Sequence, residues 1–437
     1  MNYRQRQERL AKAMSARSAS LFINPAPAHK SADADYPYHP DNHMRYICGL
    51  EEPLAVFIVL SEDLGQKRIA LVKERDLEME RWLGPTLGLE GAKEWLEADE
   101  AYALKDLDEI LDKVLFGLDT LYYDFSRHPM IGAQILASIG RLRRRGRKAA
   151  EGPRVLADLS TIVGDMRRIK DEDEIALLRK AAAITVEGFQ DAMRVIAPGA
   201  GEWEVEAELF GGFRRRGASS TSFESIVAAG EHATTLHYVS NDSIMKDGEL
   251  LLMDAGALYR GYAGDISRTF PVNGRYTGSQ REIYALVLAA MKAGIDAARV
   301  GNLLSAPHDA VRKVFSQGLH DLGIIKQSPE QIYEEKLDFA YFMHGTSHYI
   351  GLDTHDCGTA YRRGDDQAIA LDHGVVISVE PGLYFPSDCE EVPEAYRGIG
   401  VRIEDDILVT HAGPDNLTEA LVKEIDDVEH FMREQRR

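Results

Sequence analysis

Residues 250–270 read LLLMDAGALYRGYAGDISRTF. Two apolar, strand-like runs flank Arg260-Gly261, which predicts a hairpin with those two residues as its loop. Tyr259 then faces Tyr262, and the same register sets Asp265 opposite Gly256. Because side chains alternate along a strand, positions 254 and 256 share a face, and so do Asp254 and Asp265. The two aspartates become diagonal neighbours roughly 7–8 Å apart at Cα, close enough to hold ions between them. Taken alone, this pair also reads as two solvated strand aspartates on an acidic chain.

Three further segments reverse that balance: HGTSHYIGLDTHDCG at 344–358, VEPGLY at 379–384 and YRGIGVRIEDD at 396–406. They add His348, Glu380 and Glu404, each beside a glycine- or proline-marked break. Four carboxylates converging on one point raise each other's pKa until some protonate, unless cations sit between them. Two divalent ions balance four carboxylates, and an oxygen-rich set with one histidine is what a hydrolytic two-metal centre uses. His344 and His348 have the spacing of a zinc-binding helix, but Gly345, Thr346 and Ser347 between them are poor helix formers and include no glutamate.

With these motifs the chain resembles the creatinase/methionine aminopeptidase "pita-bread" metallopeptidases, and among them the bacterial aminopeptidase P (Xaa-Pro aminopeptidase) branch. The resemblance runs from about residue 172 to 425, and SADADYPYHPDNHMRYICGLEEP at 31–53 extends it to the N-terminal half; it is weakest over 85–165. It implies an α/β N-terminal domain over 1–170. It implies an α+β pita-bread domain over 171–437, with a curved, mainly antiparallel sheet and pseudo-twofold halves. The metal ligands it implies are Asp254, Asp265, His348, Glu380 and Glu404, with Glu380 also exchanging a proton during hydrolysis. His355 and His237 match the histidines that steady the reacting carbonyl and hold substrate, and His344 a nearby substrate-side group.

Arg402, two residues before Glu404 and on the same strand face, matches an arginine that orients a carboxylate or the substrate. Tyr384 and the HGTSH loop match the region that shapes a proline-ring pocket. An Xaa–Pro bond lacks an N–H, so extended-strand binding fails and such a pocket is needed. Asp33 and Trp82 match positions that the family brings from a neighbouring subunit, which implies a homo-oligomer, a tetramer or a dimer. The implied substrates are peptides with proline second. The implied cofactor is a pair of divalent ions, Mn²⁺ first, with Co²⁺, Fe²⁺ and Zn²⁺ also fitting the ligand set.

Composition is compatible with this reading. The chain has 437 residues, 44% hydrophobic and 28% charged, which suggests two domains of an ordinary globular protein. A net charge of −20 disfavours nucleic-acid backbones and anionic membrane surfaces. RLRRRGRK at 141–148 is the basic exception and reads as a helix end and linker. Cys48, Cys357 and Cys389 are scattered, with no CxxC pair, which fits a reducing compartment. The first twenty residues read as an amphipathic helix and lack the apolar core of a signal peptide, and no apolar run is long enough to span a membrane. A cytoplasmic address follows as the expectation.

The domain boundary is expected near 165–171. Before it, SLFIN, AVFIVL, RIALVK and LYYDF read as strands, and 3–16, 76–83, 106–116 and 130–144 as helices. After it, Asp171-x-x-Glu174 opens a long helix to Pro198. A second covers 202–216, a third starts at Ser279-x-x-Glu282 and runs to about Val300, and a fourth covers about 305–320. Two other activities share parts of this pattern. A prolidase runs the same chemistry on dipeptides, with Arg402 available for the terminal carboxylate. A non-catalytic pita-bread scaffold binds peptides but loses ligands. Cys357, two residues after His355, stands where a small or aliphatic residue is more usual, and its thiol suggests oxidant sensitivity or attraction of soft metals.

Overall fold

The computed structural model describes residues 1–144, 151–362, 364 and 367–435. Two compact units comprise Met1–Arg167 and Arg168–Arg437.

In the first unit a six-stranded sheet runs in the order Glu100–Ala103, Arg68–Val72, Val56–Leu60, Ser18–Ile23, Thr120–Tyr123, Val155–Asp158. Its centre is antiparallel and its flanks are parallel. The four expected strands are present. Glu100–Ala103 and Val155–Asp158 were not expected, because short edge strands carry little apolar patterning. Leu107–Leu115 and Pro129–Arg144 bury Leu111, Ile135 and Leu142 against the sheet. Of the expected helix 76–83, only Glu80–Leu83 is helical. The Asp76 carboxylate accepts the N–H groups of Glu78 and Met79 and holds the preceding residues in a turn. The basic run 141–148 divides: Arg141 closes its helix against Asp112, at 2.8 Å, and residues 145–148 lie outside the described part.

In the second unit the chain runs twice through a helix pair followed by antiparallel strands. The first pair is Glu172–Met193 and Glu202–Arg215; the second is Gly278–Ala297 and Ala306–Asp321. Asp171 and Glu174 form the expected capping box, with each side chain accepting from the other's backbone N–H. The long helix stops at Met193, before the expected Pro198. The third helix starts earlier than Ser279: Thr277 and Gln280 make its reciprocal cap.

The hairpin has the register read from its loop. Tyr259 pairs with Tyr262, and beyond a break Asp254 pairs with Ser267 and Leu250 with Pro271. Arg260 and Gly261 both have positive φ, at 49° and 87°, the backbone that a two-residue turn matching strand twist requires. At the break the two chains nearly touch. A Cβ on Gly256 would lie 1.6 Å from the Gly264 carbonyl oxygen. This close approach sets Asp254 and Asp265 on one face at the point where the ladder opens.

Gly256→Ala is therefore expected to force the hairpin apart. The predicted cost is about 2–4 kcal/mol of stability, with loss of divalent-ion binding. Denaturant unfolding and calorimetric titration with Mn²⁺ would check both. A variant with native stability and native Mn²⁺ affinity would show that the contact does not constrain the aspartates.

Candidate metal centre

Four of the five expected ligands stand where a strand ladder ends. Asp254 is near the end of Leu250–Ala255, and Asp265 precedes Ile266–Pro271. Glu380 follows Val376–Val379, and Glu404 lies between Ile399–Arg402 and Asp405–Thr410. His348 comes from the irregular 343–359 segment. Its N–H donates to the Ser378 hydroxyl at 3.1 Å, and its Nδ1 lies 3.1 Å from the Tyr349 carbonyl oxygen, so Nε2 faces the carboxylates.

Around that Nε2 stand Glu380 Oε1 at 3.4 Å, Asp265 Oδ2 at 3.6 Å and Glu404 Oε1 at 3.9 Å. Among the described residues, Asp265, His348 and Glu404 offer donor atoms all within 4.8 Å of one another. Asp254 reaches the group through Arg402, whose Nη2 donates to its Oδ2 at 2.7 Å. Asp254 Oδ1 and Asp265 Oδ1 are both buried without a hydrogen-bond donor. A buried acceptor left unpaired is costly, and a cation is the partner that this donor set fits.

The electrostatics agree. Burial, then the Glu404 charge, pushes both Asp265 and Glu380 well above the ordinary carboxylate range. Burial and Asp254 raise Glu404 to about 8. The neighbouring carboxylates divide by strand face. Asp406 shares Glu404's face and is raised by burial and by Glu404; one of its oxygens accepts the Asp265 N–H at 3.1 Å. Asp405 points the other way. There burial is outweighed by Arg268 and Lys423, which hold it below its usual range. Burial and then His355 lower His348 to about 4, keeping its imidazole neutral and free to ligate.

Arg402 is the cation of the site and is buried. It donates to Asp254, to Ser267 Oγ at 2.9 Å and to the Tyr384 hydroxyl at 2.9 Å; Ser267 in turn donates to Glu404 Oε2 at 2.8 Å. The Tyr384 hydroxyl also lies 2.9 Å from His344 Nε2. His344 Nδ1 lies 3.6 Å from Glu380 Oε2, and burial, followed by Arg402, lowers His344 to about 3. The His355 ring sits edge-on to His348 with centroids 4.3 Å apart.

Residues 176–411 match metallopeptidase family M24, and residues 3–122 match the aminopeptidase P N-terminal domain. The chain belongs to metallopeptidase family M24. It is 38% identical over 431 residues to an Xaa-Pro aminopeptidase of Escherichia coli, covering 98% of this chain and 97% of that one. It is 33% identical over 409 residues to Xaa-Pro aminopeptidase 3 of Mus musculus, covering 92% and 78%. Proline aminopeptidase P II from Yersinia pestis superposes with a TM-score of 0.95 at 38% identity, with 99% of each chain covered. A zinc-substituted E. coli aminopeptidase P in complex with product superposes at 0.96, also at 38% identity, with 100% of this chain and 98% of that one covered. The second unit of this M24 protein has the pita-bread fold.

The other expected residues are placed differently. Tyr384 is fully buried among Ile226, Ala228, Ala233 and Leu252, so in this M24 chain its ring backs the site and its hydroxyl supports His344 and Arg402. His237 is exposed on the 230–243 loop, next to Leu236, whose carbonyl oxygen accepts from Arg402 at 3.4 Å. Asp33 and Trp82 belong to the first unit and are exposed there, Trp82 at 81%. Ser267 and Asp406 were not anticipated. Their signal was parity: each is two residues from a ligand on the same strand face. The three cysteines form no disulfide.

Raised carboxyl pKa values couple stability to pH. The folded protein keeps protons that the unfolded chain releases above about 4.5, so this stability is present at low pH and lost as pH rises toward about 8. His348 works oppositely: its contribution is present above 6.5 and lost as pH falls toward about 4. Between pH 6.5 and 8 the carboxylates dominate. The melting midpoint of metal-stripped protein is expected to fall across that window, and Mn²⁺ or Zn²⁺ to raise and flatten it. A midpoint indifferent to both pH and divalent ions would refute a shared, charge-dense centre.

Proposed function

We propose that this protein is an Xaa-Pro aminopeptidase, a metal-dependent hydrolase that removes the first residue from peptides with proline second. Near-full-length similarity to Xaa-Pro aminopeptidases, together with an intact carboxylate–histidine cluster, carries the reading. Two divalent ions, held by Asp254, Asp265, His348, Glu380 and Glu404, would supply Lewis acidity and an activated water when bound. The oxygen-rich donor set favours Mn²⁺, with Co²⁺, Fe²⁺ and Zn²⁺ as alternatives.

The chain's own residues then divide the work. Glu380 takes a proton from the attacking water as the new C–O bond forms. It returns that proton to the proline nitrogen as the C–N bond breaks. Asp254, fixed by Arg402, anchors the substrate's free amine and limits cleavage to the terminal residue. His355 and His237 hold the carbonyl as charge develops on its oxygen. His344, oriented by Tyr384, lines the approach to Glu380.

The geometry disfavours a prolidase. The Arg402 donors are committed to Asp254, Ser267, Tyr384 and Leu236, which leaves no guanidinium fork for a dipeptide carboxylate. Retention of the ligand set disfavours a scaffold. A second copy of the chain is the proposed cover for Leu77, Trp82 and Leu83, exposed at 70%, 81% and 79%. A dimer or tetramer would carry Asp33 and Trp82 to a neighbour's site. Cysteines outside any disulfide fit a cytoplasmic address, and among the described residues no helix is long and apolar enough to cross a membrane.

Metal-stripped protein should release the first residue of an Xaa-Pro-Yaa tripeptide once Mn²⁺, Co²⁺ or Zn²⁺ is restored, with weak turnover of Xaa-Pro and of Xaa-Ala-Yaa. Dominant dipeptide turnover would instead identify a prolidase, and silence with every metal would revive the scaffold. Glu380→Gln is expected to lower kcat by about 10²–10⁴-fold. Equal kcat in variant and wild type would remove Glu380 from proton transfer.

A further inference from the structure

Glu202 is a buried carboxylate outside the metal centre, with its side chain fully enclosed. It opens the helix Glu202–Arg215, yet its oxygens face the 229–243 segment. Oε1 accepts the Ala229 N–H at 2.7 Å and lies 3.3 Å from His232 Nδ1; Oε2 accepts the Ser243 N–H at 2.9 Å and the Tyr238 hydroxyl at 2.9 Å. One side chain therefore ties the start, the middle and the end of the loop that carries His237.

The two residues beside His237 are anchored from opposite directions. The Leu236 carbonyl oxygen accepts from Arg402 at 3.4 Å, and the Tyr238 hydroxyl is held by Glu202 at 2.9 Å, with the Asp242 carboxylate of the same loop 3.1 Å away. The Tyr238 ring stacks on His232 with centroids 4.3 Å apart. Asn241, buried at a positive φ of 47°, locks the return by bonding Val227 N–H and Ser225 carbonyl oxygen. His237 is exposed between these two anchors and, among the described residues, makes no hydrogen bond of its own, so its placement comes from them.

We infer that Glu202, acting through Tyr238, is a positioning residue for His237, joining the metal centre's Arg402 in fixing the substrate-side loop. The inference rests on the reading of His237 as a substrate-holding group. Four donors converging on a buried carboxylate make a stiff support, since each is lost only at the cost of an unpaired buried charge. A loop defined this way presents an imidazole without ordering it anew in each turnover.

The test is a double-mutant cycle on the metal-loaded, full-length protein with an Xaa-Pro-Yaa tripeptide. Tyr238→Phe removes one hydroxyl and keeps the ring. It is expected to lower kcat/KM about 3–10-fold, with metal content unchanged and the melting midpoint lowered by only a few degrees. Glu202→Gln should cost more, about 10–100-fold. In a His237→Ala background both effects should vanish, because the group being positioned is gone. Equal losses with and without His237 would reduce Glu202 to a general structural role and overturn the inference, as would wild-type rates in both single variants. Wild-type turnover by His237→Ala alone would remove His237 from the reaction and the inference with it. Failure of the unmodified protein to cleave any Xaa-Pro-Yaa peptide would instead strike the functional reading.

Discussion

Mutual repulsion among buried carboxylates is the constraint on which this protein is organised. Asp254, Asp265, Glu380 and Glu404 are brought to one place by strands that end there, and burial strengthens every interaction between them. No arrangement of uncharged neighbours relieves four such groups. The fold supplies an internal cation, Arg402, and two imidazoles held neutral, His348 and His344. The remaining imbalance is what bound metal would offset, so metal affinity and stability are two readings of the same charge density.

Keeping like charges together requires a scaffold that does not yield. The second unit provides it with ladder hydrogen bonds and with a second polar network on the opposite strand face. Arg268 and Asp405 are both fully buried there, and Arg268 also donates to the Glu404 carbonyl oxygen. Strand alternation separates the two networks: Glu404 and Asp406 face the ligands, and Asp405 faces away. A buried pair of this kind is weak evidence for stability in itself. Its position ties the backbone of a ligand to the sheet, which is how it bears on the chemistry.

The hairpin shows what local sequence encodes well. Arg260-Gly261 gave the turn, the turn gave the register, and the register placed Asp254 and Asp265 on one face. The capping box at Asp171 and Glu174 was equally legible, because both partners lie within one helical turn. Where two caps competed, Thr277 formed the box in preference to Ser279, and the edge strands of the first unit escaped notice. Ser267 and Asp406 were discoverable from parity. Glu202 was not, since its partners lie 27 to 41 residues away and nothing in GEWEVEAEL marks one glutamate as buried.

By itself, then, the sequence determined the residue types of the centre, the hairpin register, the helix caps and the resemblance from which family and fold followed. These depend on short-range geometry, in which a turn or a strand parity fixes neighbours within a few residues. Tertiary structure alone decided which oxygens Arg402 engages, that Tyr384 is buried behind the site, and that Glu202 holds the loop of His237. Such contacts join segments far apart in the chain. Their energies depend on burial, and burial exists only once the elements have packed.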